Sequence, residues 1–587
     1  MPHDTLSHAL LRAAEVDGLG VSFWTAPGES EHHTYADLAT EAKRLAAALR
    51  DRGLKDGERV GIILPTGPDF YRAYFGILFA GGVPTALYPP VRLGRVDQWR
   101  VRTAKMLTAA NCVAVLTDKR LMGLSGEPVR VAGPRLGCHT VTKLVKEAGP
   151  RVWLSESFTE LATIQFSSGS TGDPKPVALS HDNMLSNARA IISMLPGEPS
   201  THSCVSWLPL YHDMGLVGCM ISAMVFKRPL TLLRPEQFVT KPVRWLQALS
   251  ETRATITVAP NFAFGLTADK VTDEELAELD LSNWRVALCG AEPVHPNTLR
   301  RFVHRLEPTG FDARAITPVY GLAEATLAVT FSDLQEEPKW TRFDVQALDN
   351  EREARPNNDG RELASLGRPL PGVQVEIRDE SGERLRDGLV GSVWMRSPGV
   401  MTEYLGRPEA TREAIREDRW LVTGDTGFIH EDELYLCGRS KDLVIIRGRN
   451  HDPAVFEQAL EGIEGVRPGC AAAFAVHNDA SDTEDLIVVA ELRSAKMTDV
   501  ASVADAARAS VQKLTSIAPA EVVMVSPGTL PRTSSGKIRR HKARQEWQDG
   551  ELTAPSTINL KLVAKETVRG WLNHVALAVA PRVREEA

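Results

Sequence analysis

Phe166-Ser-Ser-Gly-Ser-Thr-Gly-Asp-Pro-Lys-Pro-Val-Ala-Leu-Ser-His181 interrupts an apolar run with glycines and hydroxyl side chains. A short apolar strand over 163–166 runs into Ser167, Ser168, Gly169, Ser170, Thr171 and Gly172, and extended apolar sequence resumes at Val177. Glycine admits positive φ and lets backbone approach a ligand closely. Hydroxyls and bare N–H groups are anion donors, and Lys175 adds a mobile positive charge at the edge. That combination makes a phosphate cradle. It is not the Walker loop, which needs Gly-Lys-Ser/Thr opening a helix; here Pro174 and Pro176 flank the lysine. In isolation the same composition also fits a solvated turn.

Working outward, 587 residues exceed what one hydrophobic core serves, so several subdomains are expected. An apolar content of 43% and a charged content of 24% are those of an ordinary globular chain. The net charge of −7 gives no global mark of a nucleic-acid binder. The seven cysteines (112, 138, 204, 219, 289, 437, 470) are never closer than fifteen residues, which excludes clustered CxxC zinc spacing and argues against a disulfide framework. The first residues, MPHDTLSHALLRAAE, contain acids and lack the long apolar core of a signal peptide. No run approaches the ~20 apolar residues a membrane span needs. A cytoplasmic location is expected.

Thr34 reads as a helix N-cap, with Leu38, Ala42, Leu45 and Leu49 on one face and Gly53 as the stop. Apolar strands at 59–64, 113–117, 230–233, 255–258 and 286–289 alternate with helical pattern, predicting a large α/β domain on mainly parallel sheets. After Asp442 shorter strands at 443–446, 471–476, 486–491 and 521–525, with a helix over 503–514, predict a small α+β domain. Residues 332–364 are polar and aperiodic, a long irregular stretch of the kind that is functional or mobile. In the tail, Leu562, Val563, Val568, Trp571, Leu572, Val575 and Val579 give an amphipathic stripe. A helix packed on its own domain is preferred there over a partner-docking one.

Five further segments follow the loop in fixed order: Tyr320-Gly-Leu-Ala-Glu-Ala-Thr326, Thr423-Gly-Asp-Thr-Gly427, Gly438-Arg-Ser-Lys-Asp442, Arg447-Gly-Arg-Asn-His451 and Pro531-Arg-Thr-Ser-Ser-Gly-Lys537. Together with the loop they resemble the ANL adenylate-forming superfamily, over about 34–544. The resemblance implies an α/β fold: a large N-terminal multi-subdomain adenylate-forming domain with mainly parallel sheets over 1–437, a small mobile α+β C-terminal lid domain over 438–550, and a helical tail extension over 551–587. Fold alone does not supply the substrate.

In that superfamily a carboxylate oxygen attacks the α-phosphorus of ATP and pyrophosphate leaves. A carboxylate is already ionised at neutral pH, so the reaction asks for positive charge and positioning rather than a general base. The resemblance assigns Ser167, Ser168, Gly169, Ser170, Thr171, Gly172 and Lys175 to the β- and γ-phosphates, and Gly290, Ala291, Glu292 and Pro293 to the purine frame. Tyr320 offers a ring face for adenine, with Gly321, Leu322 and Ala323 following it. Asp425 accepts the ribose hydroxyls, with Arg439 nearby. Glu324 and Thr171 are the expected Mg²⁺ ligands, hard oxygens suited to that ion. Lys537, Glu324 and His212 are expected to be catalytic, Lys537 by bridging the acyl carboxylate and the α-phosphate. The neighbouring Arg540, Lys542 and Arg544 read as solvated surface. Lys441 matches the hinge about which the small domain rotates, and Gly448 the thiol channel.

Within the superfamily, Leu87-Tyr-Pro-Pro90, Trp207-Leu-Pro-Leu-Tyr-His-Asp-Met-Gly-Leu216, Pro260-Asn-Phe262 and Arg447-Gly-Arg-Asn-His451 are similar to the fatty acyl-AMP ligases. Residues 332–364 fall where those ligases carry a branch-specific insertion that restricts domain movement. The branch passes its acyl group to the phosphopantetheine thiol of an acyl carrier protein, which would here be a separate chain. Two positions depart from the pattern: Pro176 where glycine is usual, and Asp452 where tyrosine commonly follows Asn-His. The first bears on the stiffness of the phosphate loop and the second on the thiol side. An apolar acyl pocket is expected from Trp207, Met214, Val217, Met220 and Phe262, although single apolar residues are more often core. An acyl- or aryl-CoA ligase and a non-catalytic nucleotide- or acyl-binding scaffold remain alternatives.

Overall fold

The computed structural model describes residues 4–90, 96–156, 159–167, 174–197, 201–439, 444–446, 449–478, 483–497, 499–515, 517–533 and 537–553. Two large sheets organise the N-terminal part. In the first, strands Leu161–Ser167, Val83–Leu87, Arg59–Ile63, Cys112–Thr117 and Cys138–Thr140 run parallel. Lys175–Ser180 and Glu403–Tyr404 extend it with antiparallel edges. In the second, Gly20–Ala26, Leu230–Leu232, Cys204–Ser206, Ile256–Ala259, Val286–Cys289 and Ile316–Gly321 are parallel, again between antiparallel edges. Central strands such as Val83–Leu87 and Val286–Cys289 are buried throughout. That is why they read as continuous apolar runs rather than as alternation.

Local rules set the helices. Thr34 accepts the Asp37 N–H at 3.0 Å, and the helix Tyr35–Asp51 buries Leu38, Ala42, Leu45 and Leu49 as its spacing predicts. It lies against helix Pro68–Phe79, where a Cβ on Gly76 would stand 2.7 Å from the Leu45 side chain. Hydrogen at that position lets the two backbones approach.

The strands on either side of the glycine–hydroxyl loop form an antiparallel pair in which Ser167 faces Lys175 and Gln165 faces Val177. A strand, not a helix, therefore follows the loop. Residues 168–173 lie outside the described set.

A third sheet was not legible in the sequence. Strands Gln374–Arg378, Gly391–Arg396, Leu421–His430 and Glu433–Arg439 form an antiparallel sheet in that order. Gly438 and Arg439 are its last rungs, opposite Thr426 and Asp425. Residues 332–364 are also more regular than their pattern suggested. They contain an antiparallel pair, Trp340–Phe343 with Arg361–Ala364, and a π-helical turn, Ala347–Glu351. Phe343, Leu348 and Ala354 form a small core with Phe428 and Tyr435 of the third sheet, with ring centroids 4.9 and 5.3 Å from Phe343. Strands of four residues are too short to show a period.

The C-terminal part is α+β. Val466–Asn478, Thr483–Leu492 and Glu521–Val525 form a three-stranded sheet with helices Pro453–Gln458, Val500–Thr515 and Arg540–Gln548 around it. Ala471, Ala473 and Ala475 pack with Phe456 and Val511, while Ala472 and Phe474 pack with Leu530 and Ala543. This is strand alternation in a sheet covered on both faces. Among the described residues no helix is long and apolar enough to cross a membrane, and the seven cysteines are free thiols. The tail proposed as a helix lies outside the described residues from 554 onward, as do Lys441 and Gly448.

Candidate active site

A cavity of about 780 Å³ opens where the C-terminal part meets the ends of the two large sheets and the antiparallel one. Strand Ile316–Gly321 brings Tyr320 to it. A Cβ on Gly321 would fall 2.0 Å from the Leu327 carbonyl oxygen, so only glycine permits the turn that swings the chain to Glu324. The Tyr320 hydroxyl donates to Asp425 Oδ2 at 2.5 Å, and Arg439 Nε donates to Asp425 Oδ1 at 2.9 Å. Asp425 and Arg439 meet because they are register partners across two strands. Burial, and then the Asp425 carboxylate, push the Tyr320 hydroxyl well up, so it stays a donor.

Glu324 Oε1 accepts from the Tyr404 hydroxyl at 2.8 Å, and Lys175 Nζ stands 4.5 Å from the centre of the Tyr404 ring. Tyr404 is held there by pairing with Val177 on the strand that begins at Lys175. Ser167, Lys175 and Glu324 thus line one wall of the cavity.

Lys537 comes from the C-terminal part. Its carbonyl accepts the Thr533 N–H at 2.7 Å and its N–H donates to Thr533 Oγ1 at 3.1 Å, a tight loop that presents the side chain inward. Burial, and then the Arg439 guanidinium, lower the Lys537 ammonium from its ordinary value, while Asp213, Glu292 and Asp425 pull it back up. Asp213 contacts His212 Nδ1 at 2.5 Å and accepts the Met214 N–H at 2.8 Å. Burial would raise its carboxyl, but His212 and Lys537 hold it below the ordinary value. Glu292 accepts the Phe262 N–H at 2.6 Å, and burial pushes its carboxyl up against the pull of that N–H and of Lys537. Beside it Ala291 adopts φ +70°, a left-handed conformation costly for a non-glycine residue and of the sort found at ligand sites.

The structure gathers most of the expected site. Ser167, Lys175, His212, Ala291, Glu292, Pro293, Tyr320, Gly321, Leu322, Ala323, Glu324, Asp425, Arg439 and Lys537 all line the cavity. Gly290 stands behind the wall, where a Cβ would meet the Val319 carbonyl oxygen at 2.7 Å. Ser168, Gly169, Ser170, Thr171, Gly172 and the hinge residue Lys441 lie outside the described residues.

The expected acyl pocket needs a correction. Met214 and Phe262 line the cavity, as do Met106, Ile191, Leu288 and Phe331, but Trp207, Val217 and Met220 do not. Trp207 is 4% exposed and its ring stacks on Phe238 at 4.0 Å, while Val217 and Met220 are fully buried. They are core, and a run of apolar residues does not say which of them faces a void. Three residues went unread: Asp213, although adjacent to His212, Tyr404 and Gln165. Among the described residues no group of three or more His, Cys, Asp and Glu side chains is arranged to hold a metal.

The chain is similar to known proteins over most of its length. The sequence matches the AMP-binding enzyme family over residues 13–405. It is 34% identical to the long-chain-fatty-acid–AMP ligase FadD26 of Mycobacterium bovis, over 89% of this chain and 92% of that one. It is 33% identical to the long-chain-fatty-acid–AMP ligase FadD32 of Mycolicibacterium smegmatis, over 90% of each. A structure from a study of fatty acyl-adenylate ligases of E. coli and L. pneumophila superposes with a TM-score of 0.86 at 32% identity, covering 94% of this chain and 98% of that one. The chain belongs to the AMP-binding enzyme family and carries the adenylate-forming fold.

Proposed function

We propose that this protein is a fatty acyl-AMP ligase: it activates an aliphatic carboxylic acid with ATP and passes the acyl group to the phosphopantetheine thiol of a separate acyl carrier protein. One observation carries the reading. Lys537, delivered by the C-terminal part, lies in the field of Asp425, Arg439 and Asp213, in a cavity that apolar side chains also line. Residues 438–550 then act as the lid, 332–364 as an insertion between lid and body, and 551–587 as an extension.

In the first step a carboxylate oxygen forms a bond to the α-phosphorus, the bond to the β-phosphate bridging oxygen breaks, and pyrophosphate leaves with its electron pair. The carboxylate needs no base, and two anions must be brought together. Lys537 neutralises charge shared by acyl carboxylate and α-phosphate, in a pocket whose burial strengthens the interaction. Asp425 accepts the ribose hydroxyls and Tyr320 flanks the adenine, while Lys175 and Ser167 face the leaving phosphates. In the second step the thiol sulfur forms a bond to the acyl carbonyl carbon, the bond from that carbon to the phosphate oxygen breaks, AMP leaves with its electron pair, and the thiol proton passes to solvent.

Mg²⁺ fits the donor set. The Tyr404 hydroxyl occupies one oxygen of Glu324, leaving the other as a hard ligand beside the phosphate wall. Mg²⁺ characteristically takes one or two carboxylates plus substrate phosphates rather than an all-protein cage. Glu324 would hold it, with Thr171, and the ion would supply charge neutralisation at the phosphates.

Acid-dependent exchange of labelled pyrophosphate into ATP across a panel of free fatty acids tests the first step. Thioester yield with holo-carrier and with CoA then tests the acceptor. Exchange with aliphatic acids and thioester on the carrier are expected; tight ATP binding with no exchange would leave a scaffold, and ready CoA thioester formation would make the protein an acyl-CoA ligase.

A further inference from the structure

Tyr404 joins two pieces of the cavity wall that come from distant segments of the chain. The backbone around it is committed to both. The Met401 N–H donates to the Glu324 carbonyl oxygen at 2.8 Å. The Thr402 and Leu405 N–H groups donate to the Ala178 and Pro176 carbonyl oxygens at 2.9 and 2.8 Å. Strand Glu403–Tyr404 thus lies as an antiparallel edge on strand Lys175–Ser180, with Tyr404 opposite Val177. That edge bridges the turn carrying Glu324 and the strand that begins at Lys175.

The side chain repeats the connection. Tyr404 lines the cavity and is buried. Its hydroxyl donates to Glu324 Oε1 at 2.8 Å, the direction being fixed because an ionised carboxylate only accepts. Lys175 Nζ lies 4.5 Å from the ring centre and makes no ion pair among the described residues. A ring face attracts an ammonium through its quadrupole and does not neutralise it. Lys175 is therefore oriented with its charge still available to an anion. One phenol restrains a carboxylate by its hydroxyl and a cation by its face. Filling the space alone would need only phenylalanine.

We propose that Tyr404 is a positioning residue for the triphosphate: its hydroxyl fixes the Glu324 carboxylate that would hold the divalent cation, and its ring fixes the Lys175 ammonium that faces the phosphates. The proposal rests on the acid-activating reading above and adds to it a residue that acts through two others. Groups that orient a metal-binding side chain typically account for a factor of about 10–100 in metal affinity.

The test is equilibrium binding of ATP, with no acid present, either titrated with Mg²⁺ or with the ion removed by a chelator. In the unaltered protein Mg²⁺ should tighten ATP binding. In Tyr404→Phe, which keeps the buried ring, the Mg²⁺ midpoint should rise by about tenfold or more, while Mg²⁺-free affinity stays near its original value. In Tyr404→Leu the Mg²⁺-free affinity should also fall, by about two- to fivefold for a lost cation–π contact. That extra loss should vanish in a Lys175→Met background, where the contact is already broken. ATP binding by the unaltered protein that ignores Mg²⁺ overturns the proposal, and so does an unchanged Mg²⁺ midpoint in Tyr404→Phe, whether or not the leucine variant folds. A fall in Mg²⁺-free affinity as large in Tyr404→Phe as in Tyr404→Leu, or one that persists in the Lys175→Met background, also overturns it and makes Tyr404 a packing residue. No ATP binding by the unaltered protein under either condition would instead defeat the acid-activating reading, and the proposal with it.

Discussion

Lys537 and Asp425 show how much chemistry a single side chain takes from neighbours remote in sequence. Lys537 meets Asp213, Glu292, Asp425 and Arg439, which belong to four separate stretches of chain. Removing one preorganised charge at a reacting centre typically costs a factor of about 10²–10³. Lys537→Ala should therefore slow acyl-AMP formation by about that much while equilibrium ATP binding changes little; loss of ATP binding would show that Lys537 serves ground-state affinity. Asp425 is engaged by Tyr320 at 2.5 Å and Arg439 at 2.9 Å. Asp425→Ala removes a charged acceptor and strands both donors, a loss of about 1.5–3 kcal/mol for a charged hydrogen bond. The KM for ATP should rise by about 10- to 100-fold in steady-state adenylation, with the KM for the acid nearly constant. Both residues were legible because each sits in a short motif of fixed order. Tyr404 was not: its partner Glu324 is 80 positions away, and nothing around Glu403-Tyr404 marks it.

Among the elements, the first helix is tied to the body by a histidine. Helix Leu6–Ala14 begins with the Leu6 N–H donating to His181 Nδ1 at 3.1 Å, and Asp4 pairs with Arg189 at 2.6 Å. Burial, with the charge of His8 adding to it, pushes His181 down to about 4 against the opposing pull of Asp182 and Asp4. Its neutral ring is the acceptor, so protonation removes the bond. A depressed folded pKa contributes stability that is complete above the ordinary histidine value of about 6.5. That stability is lost as pH falls towards about 4. The difference corresponds to about 3 kcal/mol at most. Protease resistance of the first 14 residues should thus decline between pH 6.5 and 4, and His181→Gln should flatten that decline; an equal decline in the variant would place the acid sensitivity elsewhere. The helices and parallel strands were readable because period and burial coincide in them. The 332–364 hairpin was not, since its order comes from packing on Phe428 and Tyr435 rather than from its own pattern.

Over the whole molecule, polar contacts join the C-terminal part to the body. Gln458 Nε2 donates to His295 Nδ1 at 2.7 Å, and Asp349, within 332–364, approaches His451 at 3.6 Å. A neutral hydrogen bond contributes about 0.5–1.5 kcal/mol, a factor of about 2–10 in a closing equilibrium. Gln458→Ala should lower the adenylation rate by that factor and leave the transfer of preformed acyl-AMP to thiol unchanged or faster. Loss of both steps alike, in separate half-reaction assays, would mean the contact supports folding rather than closure. Asp452, the departure from the branch pattern, lies at the same seam, its carboxyl raised by burial while Arg361 and Arg540 oppose the shift. Taken by itself, the sequence determined the α/β class and the family, because glycine turns, charge type and residue period are local properties of a chain. Only the tertiary structure decided which apolar residues face the cavity, and that Trp207, Val217 and Met220 are core. Direction and hydrogen-bond satisfaction depend on what packs opposite, and the chain brings those partners from distant positions.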